Sequence, residues 1–477
     1  MPFKLRPYQD RMITDARAAL RKHRAVLIQS PTGSGKTAIG AYMASRVEKR
    51  GLRSWFTVHR DFLLEQTSQT YRRAGIAHSF IAAGRPGNPH ALSQIAGIGT
   101  LRRRLDRYQP PDVCFIDEAH HLPAATWRKV FEWMPKTHII GFSATPLRLD
   151  GAGLEDFFGN IVLGPEVGWL IENGYLSDYK AFAPSTPNMK GIHTRAGDYA
   201  RDEIDDLMDT SEIIGNLVQH YRKHADGLRA VYFCVSIRHS EHVAASFTAS
   251  GIPARHLDGS ASTVERIQAA RDFAAGKIKV LTNVDLFGEG YDLASQSGTE
   301  VAIECVGLAR PTKSLMLHLQ QIGRSLRIAP GKNHAVILDH AGNLMRHGLP
   351  DDERQWTLQG MKASSRKAGG PPVRQCAECF GVCAAHCTAC PYCGAAFVVE
   401  GRSVDELDKE LEEINIIEAR KARLREQGSA QSLDALVQLA RARRYANPEK
   451  WASIIHAARQ AKAASRADSQ AAAYLRE

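Results

Sequence analysis

A glycine-rich segment with a lysine and a hydroxyl side chain lies between a strand pattern and a helix pattern near the start of the chain. It reads Ser30-Pro31-Thr32-Gly33-Ser34-Gly35-Lys36-Thr37. Glycines at such a turn let backbone N–H groups close around phosphates, and the helix that follows adds positive potential. In that setting Lys36 would reach the β- and γ-phosphates, and Thr37 would ligate Mg²⁺. We therefore predict an ATP site rather than a chance turn, although Ser30 replaces the usual first glycine.

Two adjacent acids end an apolar run further along the chain. Val113–Asp117 has the character of a buried parallel strand, and Glu118 follows it directly. Because α/β sheets bind ligands at the carboxyl ends of their strands, both acids should face the same ligand as the lysine loop. Asp117 is placed to hold Mg²⁺, and Glu118 to orient and deprotonate an attacking water. An exposed acidic turn is the alternative for this segment taken alone.

Other short segments match, in order, the sequence boxes of one large family. They are Leu5-Arg6-Pro7-Tyr8-Gln9, Asp117-Glu118-Ala119-His120, Ser143-Ala144-Thr145-Pro146, Ile237–His239, Thr282-Asn283, Gly288-Glu289-Gly290-Tyr291-Asp292 and Gln320-Gln321-Ile322-Gly323-Arg324-Ser325-Leu326-Arg327. With the lysine loop they resemble superfamily 2 DEAD/DEAH-box helicases. Together with the cysteine-rich segment at residues 376–393, the set most closely resembles the RadD-like and XPB-like DNA helicases of bacteria or phages. The match of the sequence boxes covers residues 3–345. It implies a nucleic-acid-dependent ATPase with its ATP site between two RecA-like lobes.

The resemblance implies specific roles around the nucleotide. Gln9 would read the adenine edge, and Gln320 would help to place the attacking water or the γ-phosphate. Arg324 and Arg327 would be arginine fingers from the second lobe, a device worth about 10³ or more in rate. The other implied positions are Gly290 and Asp292 on the nucleotide side of the cleft, and Ser143 and Thr145, which would couple it to the nucleic acid. A solvated helix face and a helix N-cap are the respective alternatives for the two arginines and the Ser/Thr pair.

The same resemblance places a nucleic-acid strand across both lobes, opposite the ATP. Contacts of this kind go mainly to phosphates and do not read sequence. The implied contacts are His59, Arg60, Gly99, Thr100 and Arg102 in the first lobe, and Ser236, Arg238, Thr282 and Asn283 in the second. A basic helix surface is the alternative for the three arginines that begin at Arg102.

Six of the nine cysteines lie between residues 376 and 393. Two C-x-x-C knuckles, Cys376/Cys379 and Cys390/Cys393, each have a glycine close behind, which is typical of a four-thiolate structural zinc site. Cys387 and Cys390 form a rival knuckle, and Cys383 and His386 lie between, so the ligand set is not unique. Redox-active thiols and iron–sulfur ligation are the alternatives.

Apolar runs of strand length alternate with helical patterns in two series, which predicts two α/β lobes with parallel sheets. The expected strands are Ala25–Gln29, Ser54–Val58, Val113–Asp117 and His138–Ser143, then Ala230–Ser236, Lys279–Val284, Val301–Val306 and Ala335–Asp339. The expected domains are an ATP-binding RecA-like lobe (1–178), an inter-lobe connection (179–205), a second RecA-like lobe (206–360), a linker (361–375), a four-cysteine zinc module (376–400) and a basic helical region (401–477).

The composition fits a nucleic-acid partner and excludes a membrane protein. A formal net charge of +11 over 477 residues favours a polyanion. No apolar run is long enough to span a bilayer and no export signal precedes the first lobe, so we expect a cytoplasmic protein. The RadD-like resemblance, rather than the motor itself, favours a DNA helicase or translocase; an RNA helicase with the same motor and a zinc-bearing ATPase switch without unwinding are the alternatives. The resemblance also implies protein partners in DNA repair or phage replication.

Overall fold

The computed structural model describes residues 5–148, 152–183, 187, 189–195, 197–287, 293, 297–298, 301–360, 373–397, 426–427, 429–443 and 447–457. The chain divides into two compact units, Met1–Val398 and Val399–Glu477. The first unit holds both lobes and the cysteine-rich module. In the second unit a helix spans Leu433–Ala442, and residues 448–457 are also helical. No helix in the described ranges is both long and apolar enough to cross a membrane.

The first lobe is a parallel seven-stranded sheet with helices on both faces. Its strands are β1 (Ala25–Gln29), β2 (Ser54–Val58), β3 (Ser79–Ile81), β4 (Ser93–Gly97), β5 (Val113–Ile116), β6 (His138–Ser143) and β7 (Asn160–Leu163), in the order β3-β4-β2-β5-β6-β1-β7. Its helices are α1 (Pro7–Leu20), α2 (Lys36–Glu48), α3 (Asp61–Arg73), α4 (Ile98–Leu101), α5 (Ala125–Trp133) and α6 (Val167–Glu172). The apolar strands are buried because helices cover both faces.

The second lobe is a parallel six-stranded sheet. Its strands are β8 (Tyr179–Phe182), β11 (Ala230–Phe233), β12 (Ala254–Leu257), β13 (Val280–Asn283), β14 (Cys305–Leu308) and β15 (Ala335–Asp339), in the order β12-β13-β11-β14-β15-β8. Its helices are α8 (Ser211–His224), α9 (Ile237–Ala249), α10 (Thr263–Ala274), α11 (Leu315–Gly323) and α12 (Asn343–His347). A small hairpin, β9 (Thr194–Arg195) with β10 (Asp198–Tyr199), and helix α7 (Arg201–Met208) precede α8. The predicted fold class, two RecA-like lobes with parallel sheets, is confirmed.

The stretch expected to connect the lobes contains an element of the second lobe. Strand β8 pairs in parallel with β15, with Tyr179 opposite Ala335, and so forms one edge of the second sheet. Four residues are too few to distinguish a strand from a loop by their pattern. The irregular sequence that follows them therefore led to the prediction of a connecting segment. The strand predicted at Val301–Val306 is found at Cys305–Leu308, where it pairs with β11.

The chain returns to the first lobe after the second sheet is complete. Ala152 and Gly360 form an antiparallel bridge, and Leu154 N donates to Leu358 O at 2.7 Å. Leu358 itself is buried in the core that lies between the first sheet and α5. The cysteine-rich module, with strands β16 (Val373–Gln375) and β17 (Val382–Ala384), then packs against β8.

Candidate nucleotide site and nucleic-acid surface

The lysine loop follows β1 and leads directly into α2. Gly33 and Gly35 both have φ of +87°, a conformation that favours glycine. A Cβ on Gly35 would also lie 2.6 Å from Nε2 of Gln9, so a side chain has no room there. The Lys36 Nζ donates to the loop's own carbonyls, at 3.0 Å to Ser30 O and 3.3 Å to Pro31 O. The segment therefore has the backbone geometry of a P-loop, with its lysine bonded to carbonyls of the same loop.

Gln9 is fastened to the P-loop at the start of α1. Its Nε2 donates to Ser34 O at 2.9 Å, and its Oε1 accepts from Arg6 N at 3.0 Å. The Tyr8 hydroxyl donates to the same Ser34 carbonyl at 2.6 Å. The Arg6 guanidinium lies over the Tyr175 ring, 5.0 Å from its centroid. The amide predicted to read adenine is therefore held beside the loop that binds the phosphates.

The two acids after β5 lie against the lysine. Burial raises the pKa of Asp117, the neighbouring Glu118 raises it further, and Lys36 opposes both effects. Burial also lowers the pKa of Lys36, and the two acids partly restore it. Glu118 adopts a left-handed φ of 47°, a strained conformation for a residue with a side chain and one that clusters at functional sites. The carboxylates of Asp117 and Glu118 and the ammonium group of Lys36 therefore form one group of interacting charges. Such a group of charges is suited to bind a metal cation and phosphates.

The second lobe reaches the P-loop through the end of α11. A Cβ on Gly323 would lie 2.6 Å from Cβ of Thr32, and Cγ of Arg327 lies 3.3 Å from the Cβ position of Gly33. This close approach brings Gln320, Arg324 and Arg327 into one cleft of about 320 Å³ with Lys36, Thr37, Asp117 and Glu118. Arg6 and Thr32, which belong to the sequence motifs, also line it, as do Gln66, Tyr175 and Ile328, which the sequence did not single out.

Gln320 provides a test of whether a nucleotide fits this cleft. Its side chain is buried, and neither amide atom has a hydrogen-bond partner among the described residues. A buried amide normally has partners, so this one is consistent with a group that bonds to a ligand. Thr37 and Asp117 line the same cleft and offer the oxygen atoms that Mg²⁺ prefers. The residues present therefore fit ATP with Mg²⁺.

Ser143 links the acidic box to the end of β6. Its Oγ donates to Thr145 O at 2.7 Å and accepts from Thr145 N at 3.2 Å. The same Oγ lies 3.3 Å from His120 Nδ1, and that nitrogen lies 3.4 Å from Glu118 Oε2. A short chain of polar contacts therefore runs from the Glu118 carboxylate to Thr145, both of them buried.

The first-lobe residues predicted to contact nucleic acid lie at the carboxyl ends of β2 and β4. His59 and Arg60 follow β2, and Gly99, Thr100 and Arg102 follow β4 in or just after α4. Arg60 Nη1 donates across the interface to Asp285 O in the second lobe, at 3.3 Å. Arg102 is exposed at this edge.

The second-lobe counterparts are engaged within the protein. Thr282 and Asn283 are fully buried, and they donate to Ser240 O at 2.8 Å and to Tyr232 O at 2.9 Å. Ser236 caps α9, and with Arg238 it contacts the aspartates of α7. Contact of these four residues with nucleic acid stays a prediction. Gly290 and Asp292 lie outside the described residues.

Comparisons with known proteins agree with this arrangement. Residues 2–148 match the family model described as type III restriction enzyme, res subunit, and residues 210–329 match the helicase conserved C-terminal domain. A 51.5 kDa protein of a Lactococcus phage is 34% identical over 402 residues, which cover 84% of each chain. The chain belongs to the superfamily 2 helicases. A putative ATP-dependent helicase of Saccharomyces cerevisiae, IRC3, is 28% identical over 71% of this helicase and 51% of the yeast protein.

Solved structures show the same two-lobed fold. The ATP-dependent Type ISP restriction-modification enzyme LlaBIII bound to DNA matches with a TM-score of 0.55 and 17% identity. The match covers 72% of the helicase and 28% of the restriction enzyme. As a member of its family, the protein is a nucleic-acid helicase that hydrolyses ATP and uses Mg²⁺.

The helicase carries four clustered thiols beyond its motor. Cys376 Sγ lies 3.6 Å from Cys393 Sγ, Cys379 Sγ lies 3.5 Å from Cys390 Sγ, and all four lie within 4.8 Å of one another. A zinc tetrahedron with Zn–S bonds of about 2.3 Å requires sulfur separations near 3.8 Å. The backbone N–H of Cys379 lowers the pKa of Cys376 to about 7, whereas burial raises the pKa of Cys379, so the fit to zinc rests on the sulfur geometry. The four thiols therefore fit zinc. In the described module, Cys383, His386 and Cys387 do not join this group.

The cysteine-rich module covers the edge strand of the helicase's second sheet. Ala183 N donates to Phe380 O at 3.0 Å, and Gly381 forms an antiparallel bridge with Phe182. The Tyr392 hydroxyl accepts from Ala181 N at 3.2 Å and donates to Val382 O at 3.2 Å. Tyr392 lies inside the second knuckle, and the sequence held no signal for this contact. The module therefore covers the sheet edge that β8 would otherwise expose to solvent.

Proposed function

We propose that this helicase is an ATP-driven DNA helicase or translocase. The observation that carries the proposal is the meeting of Lys36 and Glu118 in the first lobe with Arg324 and Arg327 of the second lobe around one cleft. Because these groups belong to different lobes, the cleft is complete in the closed arrangement alone. Hydrolysis is then tied to relative movement of the lobes, which a motor needs.

Each residue has a stated task in this proposal. Asp117 to His120 act as a DEAH box, in which Glu118 takes the proton of the attacking water, and Asp117 and Thr37 would hold Mg²⁺. Lys36 moves from its own loop carbonyls to the phosphates. Arg324 and Arg327 stabilise the charge that develops on the γ-phosphate. The contacts through Ser143 and Thr145 couple these changes to the nucleic-acid surface.

The choice of DNA over RNA rests on the comparisons. The family model of the first lobe is named for a restriction enzyme subunit, and the structural match LlaBIII is bound to DNA. The net charge of +11 favours a polyanion of either kind. We further propose that Cys376, Cys379, Cys390 and Cys393 hold one structural zinc, which supports the docking of the module on β8.

One assay series tests the proposal. ATPase rates are measured with single-stranded, duplex and forked DNA and with matched RNA, beside displacement of a labelled strand. We expect stimulation by DNA and ATP-dependent strand displacement or translocation. Stronger stimulation and displacement with RNA would make the protein an RNA helicase. Stimulated hydrolysis without movement on any strand would instead indicate an ATPase switch.

A further inference from the structure

Helix α7 places acids where its own helix dipole disfavours them. Asp205 and Asp206 lie in its last turn and Asp209 follows directly, without a basic side chain in that turn. The negative end of the dipole is at this end, so carboxylates there are unfavourable unless another group compensates them. The groups that compensate these carboxylates belong to the surface of the second lobe that is predicted to bind nucleic acid.

The three aspartates surround the start of α9. Ser236 Oγ donates to Asp205 Oδ1 at 2.5 Å. The Arg238 guanidinium contacts all three acids, at 2.9 Å to Asp205 Oδ2, 3.1 Å to Asp206 Oδ1 and 3.1 Å to Asp209 Oδ2. Asp209 also contacts His242 Nδ1 at 2.9 Å. Carboxylates therefore stand at a helix N-terminus and on an arginine fork, the two groups that proteins use to hold phosphate.

The other end of α7 reaches the end of β13. Arg201 is paired with Asp285, the residue whose carbonyl accepts from Arg60 of the first lobe. The helix therefore lies across the carboxyl ends of β11 and β13, on the same face as the interface contact made by Arg60. A nucleic acid that crosses both lobes by this face would meet α7.

Helix α7 packs on a small core of its own. Its apolar face rests on a small core in which Ile204, Met208 and Val235 are buried, separate from the larger cores of the two lobes. A small separate cluster opens at a lower free-energy cost than the lobe as a whole.

We propose that α7 is an internal phosphate mimic, whose aspartates occupy Ser236 and Arg238 until a nucleic-acid phosphate displaces them. The proposal rests on the proposed function, because it requires the strand to bind at this surface. Because the aspartates must first be displaced, the second lobe would bind only a polyanion that is already held by the first lobe and is long enough to reach Ser236 and Arg238. Isolated anions in solution then compete poorly for the same groups.

The test uses the full chain and a labelled 20-nucleotide oligodeoxythymidine. Asp206→Asn removes a charge whose side chain is 84% exposed, so the fold is retained. Asp202→Asn is the matched control, because Asp202 lies on the same helix, is 63% exposed and pairs with Arg195 instead. We expect Asp206→Asn to tighten binding about two- to fivefold. The double change Asp206→Asn/Asp209→Asn should tighten it further, and Asp202→Asn should tighten it less than either.

Hydrogen exchange gives an independent readout that needs no variant. If the oligonucleotide displaces α7, amides of residues 201–209 should exchange faster in the complex than in the free protein. Equal affinities of the Asp206 and Asp202 variants, together with unchanged or slower exchange in α7, would overturn the mimic while leaving the proposed function intact. Failure of the wild-type protein to bind any nucleic acid would overturn both.

Discussion

The nucleotide cleft and the nucleic-acid surface of this helicase differ in how their key residues are engaged. In the cleft, the side chains predicted from the sequence converge from two lobes, and the Gln320 amide has no partner among the described residues. On the second lobe's surface, Ser236 and Arg238 already bind aspartates, and Thr282 and Asn283 are buried. The first region is arranged for its ligand, whereas the second, if it binds nucleic acid as proposed, would have to exchange protein contacts for ligand contacts.

This difference suggests where the enzyme controls its activity. A cleft that is already assembled would turn over ATP without nucleic acid unless closure of the lobes were disfavoured in solution. A strand that bridges both lobes shifts the population toward the closed state. Under the proposed displacement of α7, nucleic-acid binding at the second lobe would control the rate, and the cleft would carry out the hydrolysis.

Lys36→Ala should have the largest effect, a fall of ATP turnover to background. The Nζ bonds to Ser30 O and Pro31 O and to no core group in the described contacts, so the fold should survive. The measurement is steady-state ATPase activity beside thermal unfolding and circular dichroism. Turnover close to that of the wild type would refute the P-loop assignment.

Glu118→Gln should lower turnover about 10²- to 10⁴-fold while ATP still binds. The amide keeps the shape of the side chain but cannot accept the proton of the attacking water. ATP affinity, measured with a fluorescent analogue, is compared with turnover in the same preparation. If binding and turnover fell together, Glu118 would be a structural residue of the strained turn after β5.

Arg327→Ala should lower DNA-stimulated turnover by about 10³-fold and leave most DNA affinity in place. The backbone carbonyl that accepts from Ser177 Oγ is retained in alanine, so the lobe contact persists. Arg327→Lys is the control for charge, and it should rescue little because lysine lacks the planar fork. Arg324→Ala should behave in the same way. Stimulation that survives in these variants would make a solvated helix face the better interpretation.

Patterns that combine residue type with fixed spacing predicted the cleft well. The bounds of β1, β2, β6 and β15 agree with the predicted strands residue for residue. Because parallel strands end at one edge, the motifs that follow β1 and β5 had to meet. The approach of α11 to the P-loop depended on family resemblance, since no local pattern indicates which lobe faces which.

Features that depend on tertiary contacts could not be predicted from the sequence. Strand β8 is four residues long and is defined by pairing with β15. The acids of α7 resemble a solvated helix face in the sequence, and their partner Arg238 lies about thirty positions away. Tyr392 attaches the module to β8 by a hydrogen bond, and Leu358 attaches the returning segment by packing in the first lobe's core. Neither contact leaves a periodic signal in the sequence.

Loss of metal from the cysteine-rich module should affect the stability of the protein more than its ATPase activity. Purified protein should contain about one zinc per chain, and Cys390→Ser/Cys393→Ser should release it and lower the thermal unfolding temperature. ATPase activity should change less than in the cleft variants, since the module lies on β8. Cys383→Ser/Cys387→Ser is the matched control and should retain the metal. Metal analysis that finds none in the wild type, or finds iron, would refute the site.

The smallest effect should come from Arg102→Ala on the first-lobe surface. Arg102 is exposed after α4, beside Arg103, whose Nε donates to Gly99 O at 3.0 Å. If Arg102 contacts one phosphate, its loss should weaken DNA binding about two- to fivefold and lower the slope of log affinity against log salt by about one. Basal ATPase activity without DNA should not change, because Arg102 does not line the cleft.

Arg50→Ala is the matched control for that prediction. Arg50 is also exposed, but it follows α2 at the amino edge of the sheet, opposite the predicted track. Both changes lower the net charge by one, so long-range attraction falls equally. A larger salt-slope change for Arg102 would therefore report a local contact. Equal slopes would mean that the first lobe attracts DNA through its overall charge, and the track would then have to be placed by the second lobe and by displacement of α7.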